Sequence, residues 1–152
     1  VLMEDDFNYV VIYPNNDLGS SKILREYEKF KNLVGFRVIP SLRFEYFLTL
    51  LKNAAFIIGN SSAGIREAPY YGIPVINIGS RQTNRSGNTE IQNVGYDKSK
   101  LSKALKGIRQ VDKKPDIAKA YGNGNSTELF LKSLRSKDLW KVNHQKQFRD
   151  LN

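Results

Sequence analysis

Cysteine is absent from this 152-residue sequence. That excludes a disulfide framework, a thiolate metal centre and a cysteine nucleophile, and it suits a reducing cytoplasm, where the chain is expected to act. Histidine occurs once, as His144, in a basic tail where a surface role is expected rather than catalysis. No apolar stretch approaches the ~20 residues that cross a bilayer, and no signal-peptide pattern opens the chain, so membrane partners are not expected. No glycine-rich dinucleotide fingerprint follows the first strand candidate, which argues against a nicotinamide cofactor. No His, Cys and Asp cluster has metal-ligand spacing, and no two carboxylates are placed for paired acid–base work. Neither a cofactor nor a metal is expected.

Acidic residues are also scarce relative to basic ones: 15 Asp and Glu face 24 Lys and Arg, a net charge of +9. Such an excess favours anionic partners. Residues 98–114 and 132–149 hold much of it, at intervals typical of solvated helix faces. There is no extended basic run and no interleaved aromatic platform on which bases would stack. Most of this charge is read as solubilising surface, and nucleic acid is not an expected partner.

What is present is alternation. Residues 9–13 are a β-branched and aromatic run ended by Pro14, Asn15, Asn16 and Asp17, a dense turn signal. Residues 22–33 follow, with Ile23, Leu24, Tyr27, Phe30 and Val34 at helical spacing. A short strand is expected at 36–39, then a turn at Pro40, Ser41 and Leu42. An amphipathic helix is expected over 43–53, with Phe44, Phe47, Leu48 and Leu51 on one face. Residues 54–58 and 74–78 read as buried strands flanking a helix at about 63–71. Residues 79–94 read as a loop, 100–110 as a helix, 113–116 as a linker around Pro115, and 127–135 as a further helix. The expected organisation is one α/β domain over 1–136, a Rossmann-like doubly wound parallel sheet, followed by a basic and helical tail over 137–152.

Ligands of such sheets sit outside the carboxyl ends of the strands. The turns there are residues 14–19, 40–42, 59–64 and 79–82, and they concentrate the polar and small residues. The turn Gly59-Asn60-Ser61-Ser62 leads into a helix whose first turn contains Gly64. Free N–H groups, the positive end of the helix dipole and two hydroxyls together make an anion cradle suited to phosphate. The plainer alternative is that Ser61 or Ser62 only caps the helix.

Gly59 to Glu67, followed by Gly72-Ile73-Pro74-Val75-Ile76-Asn77 and Gly79-Ser80-Arg81-Gln82, resembles the C-terminal domain of UDP-N-acetylglucosamine 2-epimerases. The hydrolysing branch, which releases UDP and N-acetylmannosamine on the way to sialic acids, is the nearest in kind. The likeness extends to residues 13–17 and 121–125. It implies one half of a two-domain glycosyltransferase-B type fold, with UDP or UDP-N-acetylglucosamine in the cleft between the halves. It implies that Ser61 and Ser62 hold the diphosphate, that Gly64 permits close backbone approach, and that Glu67 accepts hydrogen bonds from both ribose hydroxyls. Leu42 matches a position whose backbone contacts uracil, Asn15 one near the sugar or phosphate, and Arg81 a basic residue near the nucleotide.

The resemblance also implies groups that this chain lacks. The family reaction, anti elimination of UDP and then hydration, uses carboxylates of an N-terminal domain and a histidine on a strand preceding the segment like residues 1–6. A catalytically silent UDP-binding fragment is therefore expected, without its first central strand, with exposed edges around residues 9–13 and a tendency to homo-oligomerise. A B-type glycosyltransferase half and a non-enzymatic basic anion-binding domain are the alternatives.

Overall fold

The computed structural model describes residues 1–110 and 122–141. The linker expected at 113–116, Tyr121, and the tail from 142 onward with His144 lie outside the described residues. The chain divides into two compact units, Val1–Ala118 and Lys119–Asn152.

The first unit carries a 3-10 turn, Leu2–Glu4, and then β1 (Tyr9–Ile12), α1 (Ser20–Glu28), β2 (Phe36–Ile39), α2 (Phe44–Lys52), β3 (Ile57–Gly59), α3 (Ala63–Tyr70), β4 (Val75–Ile78), β5 (Ile91–Val94) and α4 (Lys98–Arg109). All pairings are parallel, β1 with β2 and β4 with both β3 and β5. Parallel neighbours need a crossover, and α1, α3 and the long segment after β4 supply them.

Side-chain alternation along the strands divides the core in two. Ile57 and Val75 join Leu51, Ile65, Ala68, Ile73 and Ile91 in the layer under α2 and α3. Ile58 and Ile76 face the opposite layer, with Val94 and with Ala104, Leu105 and Ile108 of α4. Helices therefore cover both faces of the β3–β4–β5 ladder, which is the α/β arrangement expected from the alternation of elements.

Three features depart from the sequence reading. Strand β5 lies inside the stretch expected to be loop: Ile91 and Val94 are buried, while Gln92 and Asn93 between them are exposed. Its two central polar residues mask the period. Helix α1 starts at Ser20 and stops at Glu28, short of residue 33. Phe30 stacks on Phe36 at 4.8 Å between ring centroids rather than extending the helix. The strands form two ladders, β1–β2 and β3–β4–β5, rather than one continuous sheet. Each strand pairs only where a neighbour lies within hydrogen-bonding distance, and no described strand joins β1 to β3. The expected exposure of the first strand is partial: Val10 is 42% exposed but Tyr9 is buried.

The second unit holds α5 (Ser126–Arg135) and a 3-10 turn, Leu139–Lys141. The indole N–H of Trp140 donates to the carbonyl of Leu134 at 2.8 Å. This bond folds the turn back onto α5. Within the described part of the expected tail the helix is a single 3-10 turn.

Two acidic residues before β1, Asp5 and Asp6, anchor the N-terminal segment to α4. The Arg109 guanidinium reaches Asp5 at 2.8 Å and Asp6 at 3.3 Å, and lies 4.7 Å from the centre of the Phe7 ring. Burial by itself raises the Asp5 pKa, but the Phe7 amide and Arg109 outweigh it and hold the carboxyl below its ordinary value. Desolvation, and then the charge of Asp5, push the Tyr9 hydroxyl in the opposite direction, upward. At the N-terminus of α4, the Ser99 hydroxyl and the amides of Lys100 and Ser99 likewise lower the pKa of the capping Asp97.

These two carboxylates set an acid dependence. A depressed folded-state pKa contributes stability that is complete above the ordinary value of 3.8 and is lost as pH falls through the folded value. Asp5→Asn should therefore melt below wild type at neutral pH, with the difference closing below about pH 3.8. Thermal melts followed by circular dichroism across that range check it; a constant gap would mean that Asp5 contributes through packing alone.

Candidate functional site

Because every ladder is parallel, the carboxyl ends of β3, β4 and β5 share one edge, as do those of β1 and β2. Side chains of the loop after β4 connect the turns at these ends. Arg81 donates to Asp17, in the turn after β1, at 3.0 Å. The next residue, Gln82, donates from its side-chain amide to the backbone carbonyl of Asn60, in the turn after β3, at 2.9 Å. Three of the four turns expected to gather at the ligand edge are thus tied together.

The β3–α3 turn is built for close work. Gly59 adopts φ +146°, a conformation that L side chains rarely take. Ser62 stands at the cap position but already has helical dihedrals, and its side chain makes no capping bond. The Ser61 hydroxyl accepts from the Ala63 amide at 3.3 Å. The amides of Ser61 and Ser62 donate to no described group. Local capping therefore uses one hydroxyl, leaving two amides and a second hydroxyl at the positive end of α3.

Gly64 is buried and serves helix–sheet packing. A Cβ there would lie 3.0 Å from a methyl of Val75 and 4.0 Å from one of Ile57. Its small size brings α3 down onto the sheet, and Gly59, Ser61, Gly64 and Asn77 line a small recess at the junction. After β4, Gly79 has φ +76°, and a Cβ at this position would meet the Tyr96 hydroxyl at 2.6 Å.

Glu67 lies one turn into α3, above the N-terminal end towards which helical side chains lean. Its Oε2 is buried and has no hydrogen-bond partner among the described residues. Such an orphaned acceptor costs about 1–3 kcal/mol unless something donates to it. Leu42 is half-buried between β2 and α2, and its backbone bonds to no described group. Asn15 is exposed in the turn after β1. Arg81 is engaged by Asp17, with both side chains more than half exposed.

Two residues of the edge went unassigned in the sequence. Asn77 is buried within β4 and donates to its register partner Asn93 at 2.7 Å. A lone asparagine in an otherwise apolar strand was the available signal. Gln82 is only 4% exposed, and Arg85 donates to its side-chain carbonyl at 3.4 Å. Nothing in the local sequence distinguishes it from any polar loop residue.

The sequence and the fold match known proteins. Residues 1–135 match the profile of a family described as UDP-N-acetylglucosamine 2-epimerase. A UDP-N-acetylglucosamine 2-epimerase of Neisseria meningitidis is 43% identical over 95% of this chain, and a UDP-N,N'-diacetylbacillosamine 2-epimerase (hydrolyzing) of Legionella pneumophila is 32% identical over 84%. The chain spans 39% and 33% of the lengths of these two relatives. The crystal structure of the Methanocaldococcus jannaschii UDP-GlcNAc 2-epimerase in complex with UDP-GlcNAc and UDP superimposes with a TM-score of 0.62 at 27% identity, over 78% of this chain and 33% of that one. The fold is accordingly the Rossmann-like α/β half of a glycosyltransferase-B type architecture. With the profile covering all but the last 17 residues, the chain belongs to the UDP-N-acetylglucosamine 2-epimerase family.

Proposed function

We propose that this chain is the UDP-holding portion of a hydrolysing UDP-N-acetylglucosamine 2-epimerase. One juxtaposition carries the reading: α3 begins with unbonded amides beside the Ser61 and Ser62 hydroxyls, and holds the orphaned Glu67 carboxylate oxygen one turn further on. The first group suits a diphosphate and the second a pair of ribose hydroxyls. Leu42, Asn15 and Arg81 on neighbouring turns complete the set, with the Leu42 backbone open to uracil. Arg81 reaches the nucleotide by exchanging Asp17 for phosphate.

In the whole protein, UDP held in this way is the leaving group of an anti elimination across C1–C2 of the sugar. Water then adds to the glycal to give N-acetylmannosamine. Charge developing on the departing diphosphate is met by fixed amide dipoles, which need no reorganisation during the step. The proton transfers require an acid and a base aligned across the cleft, and the described residues include no histidine for them. The chain alone is expected to bind UDP without turning over the nucleotide sugar.

Calorimetric titration tests the reading. Wild type should bind UDP more tightly than uridine, and Ser61→Ala and Ser62→Ala should each narrow that difference. Salt-sensitive oligonucleotide binding with no heat from UDP would overturn it in favour of a general anion-binding domain.

A further inference from the structure

Gln82 is buried, polar and remote in sequence from the turn it touches. A buried side-chain amide is costly unless bonded, and this one is bonded at both ends: its N–H donates to the Asn60 carbonyl and its carbonyl accepts from Arg85. Arg85 has only donors, so it can meet only the oxygen of the Gln82 amide. The nitrogen is thereby turned towards Asn60. The orientation of Gln82 is set by the pair of contacts.

What this does to the turn follows from peptide geometry. The Asn60 carbonyl and the Ser61 N–H belong to one trans peptide, and in such a unit the two point in opposite directions. Drawing the carbonyl towards the loop after β4 directs the Ser61 N–H away from that loop. Such a peptide turns over through ψ of Asn60 and φ of Ser61, two exposed residues outside any helix or strand, so the ladder does not fix its orientation. If the peptide turned over, a carbonyl oxygen would stand where the Ser61 amide now stands, and the electrostatic preference for an anion would reverse.

We infer that Gln82 is a positioning residue for the diphosphate turn, locking the Asn60–Ser61 peptide so that the Ser61 amide is presented to the ligand. The inference rests on the UDP reading above and adds a residue to it. Arg81 and Gln82 reach different turns from one loop, Arg81 bracing the turn after β1 and Gln82 the turn after β3. The loop is thus a brace for the site as well as a connection between β4 and β5.

The test compares UDP with uridine on the whole 152-residue chain. Gln82→Leu keeps bulk but cannot donate, and it should weaken UDP roughly 10- to 100-fold, the range for a bond to a charged group. Uridine affinity should stay within about twofold. Gln82→Glu guards against a folding defect. Its carboxylate cannot donate to Asn60 at neutral pH but regains a donor when protonated, so its UDP deficit relative to wild type should narrow in acid. Wild-type UDP affinity in both variants, or an equal loss for UDP and uridine, would overturn the inference while leaving the UDP reading intact. Absence of UDP binding to wild type would overturn the UDP reading itself. Peptide locking is then read without ligand: the Ser61 and Ser62 amide resonances should move in Gln82→Leu, and unmoved resonances would sink the locking role.

Discussion

Ile76→Ala is expected to lower the melting temperature by roughly 10 °C or more, at a cost of about 2–5 kcal/mol. Ile76 is 0% exposed on the central strand β4, between β3 and β5, and its side chain belongs to the layer formed with Val94 and α4. Truncation leaves a void bounded by two strands and a helix that other contacts hold in place, so collapse around it is limited. Set against a total of about 5–15 kcal/mol for a domain, such a loss approaches the whole margin. Val10→Ala is the matched control: Val10 is β-branched and also in a strand, but it is 42% exposed on a two-stranded ladder. It should cost well under half as much. Urea unfolding followed by circular dichroism checks both, and equal losses would show β1–β2 to be packed as firmly as the β4 ladder.

That contrast marks where sequence was informative. The Val-Ile-Asn-Ile run of β4 and the Tyr-Val-Val-Ile run of β1 both signal strands, because β-branched residues suit a pleated backbone wherever it lies. Neither run says which neighbour it will pair with, since pairing depends on residues far along the chain; the split into two ladders was illegible for that reason. Helix α2 was recovered to within one residue at each end because its apolar stripe is local. The end of α1 was not, because Phe30 keeps helical phase while its ring stacks on Phe36 instead, and Val34, in the same phase, is 101% exposed.

The site divides in the same way. Gly59, Ser61 and Ser62 were legible because turn and cap chemistry is written in consecutive residues. Gly64 reads in the sequence as permitting close backbone approach to the nucleotide, whereas the contact that excludes a side chain there is with Val75, at 3.0 Å. Gln82 acts on a carbonyl 22 positions away, so local pattern had no means of finding it, and the partner of Asn77 lies 16 positions away, so its lone polar position in β4 signalled a bond but not with what.

Glu67→Ala should weaken UDP binding by roughly 10- to 100-fold, the value of hydrogen bonds to a charged group, at about 1.4 kcal/mol per tenfold. It should do so without a fall in melting temperature. The two expectations share one cause: Oε2 is buried and accepts from no donor among the described residues, so its removal breaks no described bond and lifts a desolvation cost. Ribose is the part of the ligand concerned, and 2′-deoxy-UDP isolates it. Wild type should prefer UDP to the deoxy form, whereas Glu67→Ala should bind both alike, because the hydroxyl has lost its acceptor. Glu67→Gln keeps one acceptor and gains a donor, and ribose hydroxyls both donate and accept, so its loss should fall between the two. If Glu67→Ala weakens UDP and 2′-deoxy-UDP equally, the carboxylate does not act through the 2′-hydroxyl, and the bond to both ribose hydroxyls is overturned. If UDP affinity is unchanged while the melting temperature rises, Oε2 is an unsatisfied group with no ligand to serve, and the nucleotide is held by the turn alone.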